Sequence, residues 1–79
     1  MAEKIFIKKG KFTLWSDDRD IMLPIQYKIA VLAWCRKNGI KAVNPLTADG
    51  ENIAIRYFGV SLWRVEDEQQ RMLFILKWA

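Results

Sequence analysis

The clearest apolar and polar pattern in the chain is that of a helix over residues 24–38, PIQYKIAVLAWCRKN. Pro24 suits the first turn of a helix, because the N–H group that proline lacks would have no partner there. Gly39 predicts the end of the helix, since glycine readily takes the left-handed conformation that a helix C-terminus often requires. We expect Ile40 to fold back onto Cys35 in that arrangement, and we predict that the rest of the chain packs around this central helix.

This predicted helix has apolar side chains on two sides. At about 100° per residue, one stripe consists of Ile25, Ile29 and Leu32, and the second of Tyr27, Ala30, Val31 and Trp34. A helix on one face of a sheet needs only one stripe, so either the chain covers both or one is a docking surface for a partner or a second copy. The second stripe is the better docking candidate, because Tyr and Trp are typical interface anchors. Its candidate partner-binding residues are Tyr27, Val31 and Trp34.

The N-terminal part of the chain has the pattern of a β-hairpin. Residues 4–8 alternate between polar and apolar, Gly10 favours a turn, and residues 11–15 are rich in strand-forming side chains. A polar loop follows at residues 16–20. Residues 21–23 are compatible with a short strand or an early helical turn, and the strand is favoured because a residue before proline tends to be extended.

After the central helix, the pattern predicts a short strand at residues 40–43, a loop at 44–51 and a strand at 52–58. The C-terminal residues 67–78 allow two interpretations. In the first, residues 62–66 and 71–78 form a hairpin, which their aromatic and β-branched side chains favour. The last strand would then be apolar on both faces, with the N-terminal hairpin or another molecule covering the second face.

The second interpretation of the C-terminal residues is a helix. Asp67 would cap its N-terminus, and Gln70 would complete a capping box. Of the two, we favour the hairpin. The sequence thus predicts one small α+β domain over residues 1–79, with one central helix packed on a mostly antiparallel sheet in the approximate order ββαββββ.

Composition restricts the class of protein further. Hydrophobic residues make up 52% of the 79 residues, which argues against disorder, and the formal net charge is +4. The single cysteine excludes an internal disulfide and, with no recognisable signal peptide, favours a reducing, cytoplasmic setting. No apolar run approaches the roughly 20 residues of a membrane span, so we expect no membrane insertion.

The chain lacks the groups that most catalytic sites need. It contains no histidine, which removes the commonest general base and transition-metal ligand. No phosphate-binding glycine pattern occurs. The acidic segment Asp17, Asp18, Arg19 and Asp20 is interpreted as a solvated loop before the helix rather than a metal site. We therefore predict a non-enzymatic protein with no catalytic, cofactor-binding or metal-binding residues.

Two functional hypotheses remain. The first is a small binding protein that modulates or inhibits a larger protein or nucleoprotein by occupying a site on it, with a homodimer as a variant. Its size is typical of modulators encoded by phages and mobile elements. The alternative is a nucleic-acid-binding protein that uses the basic hairpin. Its candidate residues are Lys8, Lys9 and Lys11, joined by Arg36, Lys37 and Lys41.

Overall fold

In the part of the chain that the structure describes, the fold consists of three helices and two small antiparallel sheets. A computed structural model of the protein describes residues 4–17 and 19–78. In chain order the elements are β1 (Lys4–Lys9), β2 (Phe12–Asp17), β3 (Ile21–Pro24), α1 (Lys28–Asn38), β4 (Ala42–Val43), α2 (Ala48–Ile53), β5 (Val60–Val65) and α3 (Glu68–Trp78). A 3₁₀ turn, Ile25–Tyr27, leads into α1, and a π-helical segment, Ala54–Phe58, continues α2. The predicted α+β class is confirmed.

The strands form two separate sheets. Strands β1 and β2 pair as the predicted N-terminal hairpin, with Phe6 opposite Trp15 and Ile7 opposite Leu14. Strand β5 lies at the centre of the second sheet, between β3 and β4, and both pairs are antiparallel. Residues 21–23 belong to β3, so the strand interpretation is confirmed there. The predicted strand at residues 40–43 is shorter and covers only β4.

One face of β5 packs against α1 and α3. Its side chains there are Trp63 and Val65, which form a core with residues of the neighbouring elements: Ile21, Leu23, Val31, Cys35, Ile40 and Phe74. Val31 and Phe74 are completely buried. Because both helices contribute to this one cluster, they lie on the same side of the sheet.

The opposite face of β5 packs against the hairpin and the second helical segment. Leu62 forms a small core with Leu14 of β2 and Ala54. Ile7 of β1 and Phe58 pack around these three residues. The N-terminal hairpin therefore covers the second face of the central strand, as one of the two sequence-based alternatives proposed. The strand that has two apolar faces, however, is β5 and not the C-terminal segment.

The predicted end of the central helix is confirmed. Gly39 takes the left-handed conformation with a φ of 66°. The N–H of Ile40 donates to the carbonyl of Cys35 at 2.9 Å, and both residues are buried in the same core. This hydrogen bond and contact are those of a Schellman motif, which satisfies a carbonyl that the helix end would leave unpaired.

The predicted strand at residues 52–58 is wrong, because these residues are helical. Ala54 and Phe58, four residues apart, meet the same core on one helical face. The helix already begins at Ala48, inside the predicted loop at 44–51. The hydroxyl of Thr47 accepts a hydrogen bond from the N–H of Gly50 at 3.2 Å and caps the first turn.

The favoured strand at residues 71–78 is also wrong, and the helical alternative is correct. The carboxylate of Asp67 accepts a hydrogen bond from the N–H of Gln70 at 2.9 Å, as a helix N-cap does. The Gln70 side chain donates to the carbonyl of Gly39 and accepts from the N–H of Lys41 in the loop after α1, so it does not complete the predicted capping box with Asp67. The predicted order ββαββββ is therefore corrected to βββαβαβα.

An ion pair joins the loop between β2 and β3 to the central strand. The Asp20 side chain, only 2% exposed, accepts hydrogen bonds from Nε and Nη2 of Arg64 at 2.7 and 3.1 Å. It also accepts one from the N–H of Asp17 at 3.0 Å. These hydrogen bonds with Asp20 raise the pKa of Arg64. Asp20 therefore fixes both the loop and the side chain of Arg64.

We expect Asp20→Asn to lower the free energy of unfolding by about 1.5–3 kcal/mol, the range for hydrogen bonds to charged groups. The variant keeps the size of the side chain but removes the charge that faces Arg64. Urea unfolding followed by circular dichroism measures the loss. The matched control is Glu66→Gln, whose exposed carboxylate lies 3.7 Å from Arg19 and should contribute about 0.5 kcal/mol or less. Equal losses in the two variants would contradict the role of Asp20.

Candidate functional surfaces

The structure reverses the expected roles of the two sides of the central helix. Val31 of the second stripe is 0% exposed and faces the sheet. Trp34 packs edge-on against Phe74 and Trp78, with ring centroids about 6 Å apart. Tyr27 stays about half exposed and lies near Trp78. Val31 is therefore inaccessible to a partner, and Trp34 mainly packs α1 against α3.

The first stripe of α1 lies largely on the outside. Ile29 is 82% exposed, and Leu32 is about half exposed. The sequence defined this stripe correctly but did not show which side faces the sheet. Helical spacing shows which residues share a stripe. Which stripe is buried depends on contacts with Trp63 and Phe74, two residues that lie far from α1 in the sequence.

The outer side of α3 is also apolar. Leu76 is 81% exposed, and Met72 and Leu73 are more than half exposed, while Phe74 on the inner side is fully buried. Since α1 and α3 pack on the same face of the sheet, their outer sides face the same side of the molecule. We call Ile29, Leu32, Met72, Leu73 and Leu76 the helical surface.

Three cations lie in the last turns of the two helices that carry the helical surface. Arg36 and Lys37 occupy the last turn of α1 and are exposed, and Lys77 occupies the last turn of α3. Lys77 also lies over the ring of Trp78, 5.4 Å from its centroid. Cations at these positions interact favourably with the negative C-terminal ends of the helix dipoles. They also add positive charge at the helix ends.

A second exposed group lies on the hairpin. Phe6 and Trp15 are directly opposite in the register, their rings touch, and both are more than half exposed. Lys8, two residues from Phe6, lies on the same side of β1, and Lys9 and Lys11 flank the turn at Gly10. We call Phe6, Lys8, Lys9, Lys11 and Trp15 the hairpin surface.

The six predicted nucleic-acid-binding cations do not form one surface. Lys8, Lys9 and Lys11 belong to the hairpin, which covers the Leu62 face of the sheet. Arg36 and Lys37 lie on α1, which covers the other face, and Lys41 follows α1 before β4. The sheet thus separates the two groups. Only the hairpin group combines lysines with exposed aromatic rings.

A cleft of about 610 Å³ lies beside the hairpin, between β2 and the start of α2. Its charged groups include Asp17, Asp20 and Arg64, which already pair within the protein. In the part of the chain that the structure describes, no three side chains of metal-ligating type come together. Asp18 of the acidic segment lies outside the described residues. Of the charged side chains of the cleft, Asp49 alone lacks an ion pair among the described residues.

Cys35 is the one thiol in the chain, and it lies in the core between α1 and the sheet. It is buried, and this burial raises its pKa. A raised pKa leaves less thiolate at any given pH, and the thiolate is the reactive form. The geometry therefore supports the interpretation of Cys35 as an apolar core residue rather than a nucleophile.

We predict that Cys35 of the folded protein reacts with iodoacetamide at pH 8 at least about tenfold more slowly than in the urea-unfolded chain. Mass spectrometry of timed samples measures the rate. Glutathione, treated identically with and without urea, corrects for the effect of urea on the reagent. Equal corrected rates for the folded and unfolded chain would show that the thiol is accessible, contrary to the structure.

Comparison of the chain with models of protein families, with curated proteins and with solved structures finds no match. The helices of residues 4–17 and 19–78 include none that is long and apolar enough to cross a membrane. The two surfaces of this chain are therefore the features that bear on its function.

Proposed function

We propose that the protein is a small non-enzymatic binding protein that modulates or inhibits a larger protein or nucleoprotein by covering a site on it. The supporting observation is the helical surface. Single exposed leucines are normal in proteins, but several large apolar side chains on neighbouring helices are typical of an interaction site. The docking residues of this proposal are Ile29, Leu32, Met72, Leu73 and Leu76, in place of the buried Val31.

The chain has no need of these side chains for its own core. Phe74 of α3 and Val31 of α1 are completely buried on the inner sides of their helices. Ile29 and Leu76, on the outer sides, keep more than four fifths of their surface exposed. Burial of one such side chain against a partner contributes roughly 1.5–3 kcal/mol before the costs of association are subtracted.

The shape and charge of the helical surface indicate the kind of partner site. Met72, Leu73 and Leu76 have the spacing of a helix that places one face in an apolar groove. The cations Arg36, Lys37 and Lys77 on the same helices favour acidic groups beside that groove. A cytoplasmic location is part of the proposal, because a lone reduced thiol fits a reducing compartment.

The test places a photoreactive benzoyl-phenylalanine at Leu76 and, as the matched control, at the exposed Asn52 of α2. We expect irradiation in the host cell to give a discrete cross-linked product from position 76 and none from position 52. Leu76→Ser should then weaken binding of the identified partner at least about tenfold, as loss of an interface anchor does. The free energy of unfolding should change by about 0.5 kcal/mol or less, because the residue is exposed.

Two results would contradict the proposal in different ways. No product, or the same products from positions 76 and 52, would remove the helical surface as a docking site. A product with twice the mass of the chain, together with a dimer in light scattering, would show that the occupant is a second copy rather than a larger partner.

A further inference from the structure

We infer that the hairpin surface binds single-stranded nucleic acid, with Phe6 and Trp15 stacking on bases and Lys8, Lys9 and Lys11 contacting phosphates. This inference goes beyond the proposed function, because it assigns a different ligand to the opposite side of the molecule. It rests on the exposure of the two rings, on the packing of the inner side of the hairpin against the rest of the fold, and on the positive charge of these three lysines, which have no ion pair among the described residues.

The two exposed rings are the first observation. Phe6 is 57% exposed and Trp15 is 51% exposed, although both are large apolar side chains. They face solvent as a cross-strand pair and contact each other, with their planes at 63°. Aromatic rings presented on a strand surface are the usual platform for unpaired bases, since every base offers a flat π-face.

The inner side of the hairpin packs against the rest of the fold, which leaves the outer side to act as such a platform. On its inner side, Leu14 is 2% exposed and packs with Leu62 and Ala54. Phe12 stacks on Tyr57 with the ring planes at 15°. Phe12 therefore packs on another element of the fold, whereas Trp15 lies on the outer side of the hairpin.

The charge of the hairpin suits a phosphate backbone. Lys8 lies two residues from Phe6, about 7 Å along the strand, so a phosphate at Lys8 can belong to a nucleotide whose base reaches the rings. Gly10, with a φ of 58°, forms the turn that brings Lys9 and Lys11 to the tip. Residues 4–16 include no acidic residue. Of the two acids that border this segment, Asp17 pairs with Arg19 at 3.5 Å, and Glu3 lies outside the described residues.

Protection of an exposed strand edge is the ordinary explanation for lysines at a hairpin. It accounts for Lys8, Lys9 and Lys11, but it does not account for Phe6 and Trp15, because exposed rings promote the association that the lysines would prevent. A duplex is a poorer ligand than a single strand, since its base faces are already stacked on one another. The combination of cations and exposed rings therefore favours a single strand.

The experiment measures fluorescence anisotropy of labelled 12-nucleotide oligo-dT and oligo-U, titrated with the full chain from about 50 to 200 mM salt. A 12-base-pair duplex and polyglutamate serve as competing ligands. We expect the single strands to bind more tightly than the duplex, and polyglutamate not to compete. Phe6→Ala and Trp15→Ala should each weaken binding by about 5- to 100-fold, the range for loss of one stacked base.

Matched variants separate the contribution of base stacking from that of the phosphate contacts. Trp15→Phe keeps a ring and should retain binding within about threefold, so that it controls for damage to the hairpin by Trp15→Ala. Lys8→Gln should reduce the salt slope by about 0.7, the value for one phosphate contact with a single strand. Lys37→Gln removes the same charge from the opposite side and should leave the slope unchanged. Leu76→Ser should bind the oligonucleotides like the unaltered chain, which keeps this test independent of the proposed function.

Three results would overturn the inference. The first is no binding of either oligonucleotide at 50 mM salt. The second is an equal effect of Lys8→Gln and Lys37→Gln, which would show that binding depends on net charge alone. The third is equal affinity for polyglutamate with the same loss in Lys8→Gln, which would identify an acidic peptide as the ligand.

Discussion

The structure depends on one strand that is buried on both faces. In β5, Leu62 points to one side and Trp63 and Val65 to the other, and all three are buried. A strand of this kind needs a covering layer on each side. A chain of 79 residues meets that requirement by placing two helices on one face and, on the other, the N-terminal hairpin with α2 and its π-helical continuation.

This division of the chain explains why so much apolar surface remains outside. Each of α1 and α3 packs on the sheet with one side only, through residues such as Val31 and Phe74. No third layer covers their outer sides in the described part of the chain, so Ile29 and Leu76 stay exposed. The same holds for the hairpin, whose inner side is anchored by Leu14 and whose outer side presents Phe6 and Trp15. Both candidate surfaces are thus the outer sides of the layers that cover β5.

Sequence reasoning succeeded where the signal is local. Gly39 marks the end of α1 and Gly10 the turn of the hairpin, because their positive φ angles suit glycine. It failed at residues 71–78, where strand-forming side chains outweighed the helix-capping signal of Asp67 in the prediction. It also failed at residues 52–58, whose helix is capped by Thr47, a residue that the prediction placed in a loop. It also could not assign the buried side of α1, and it missed the helical surface on α3. The 3.6-residue spacing of Met72, Leu73 and Leu76 was the signal that could have found that surface.

The positions of the two surfaces add a geometric argument about how they would act together. Because the central sheet separates the α1 and α3 layer from the hairpin layer, a protein docked on Leu76 would leave Phe6 and Trp15 free to bind. The two ligands would then be able to bind at the same time. Because one chain would hold both, binding at one surface raises the effective concentration of the other ligand at the other surface. If both proposals hold, a nucleoprotein with an apolar groove next to a single-stranded segment is the partner that uses both sides of this small fold. Either surface alone would bind such a partner more weakly than the two together, without any change in the fold.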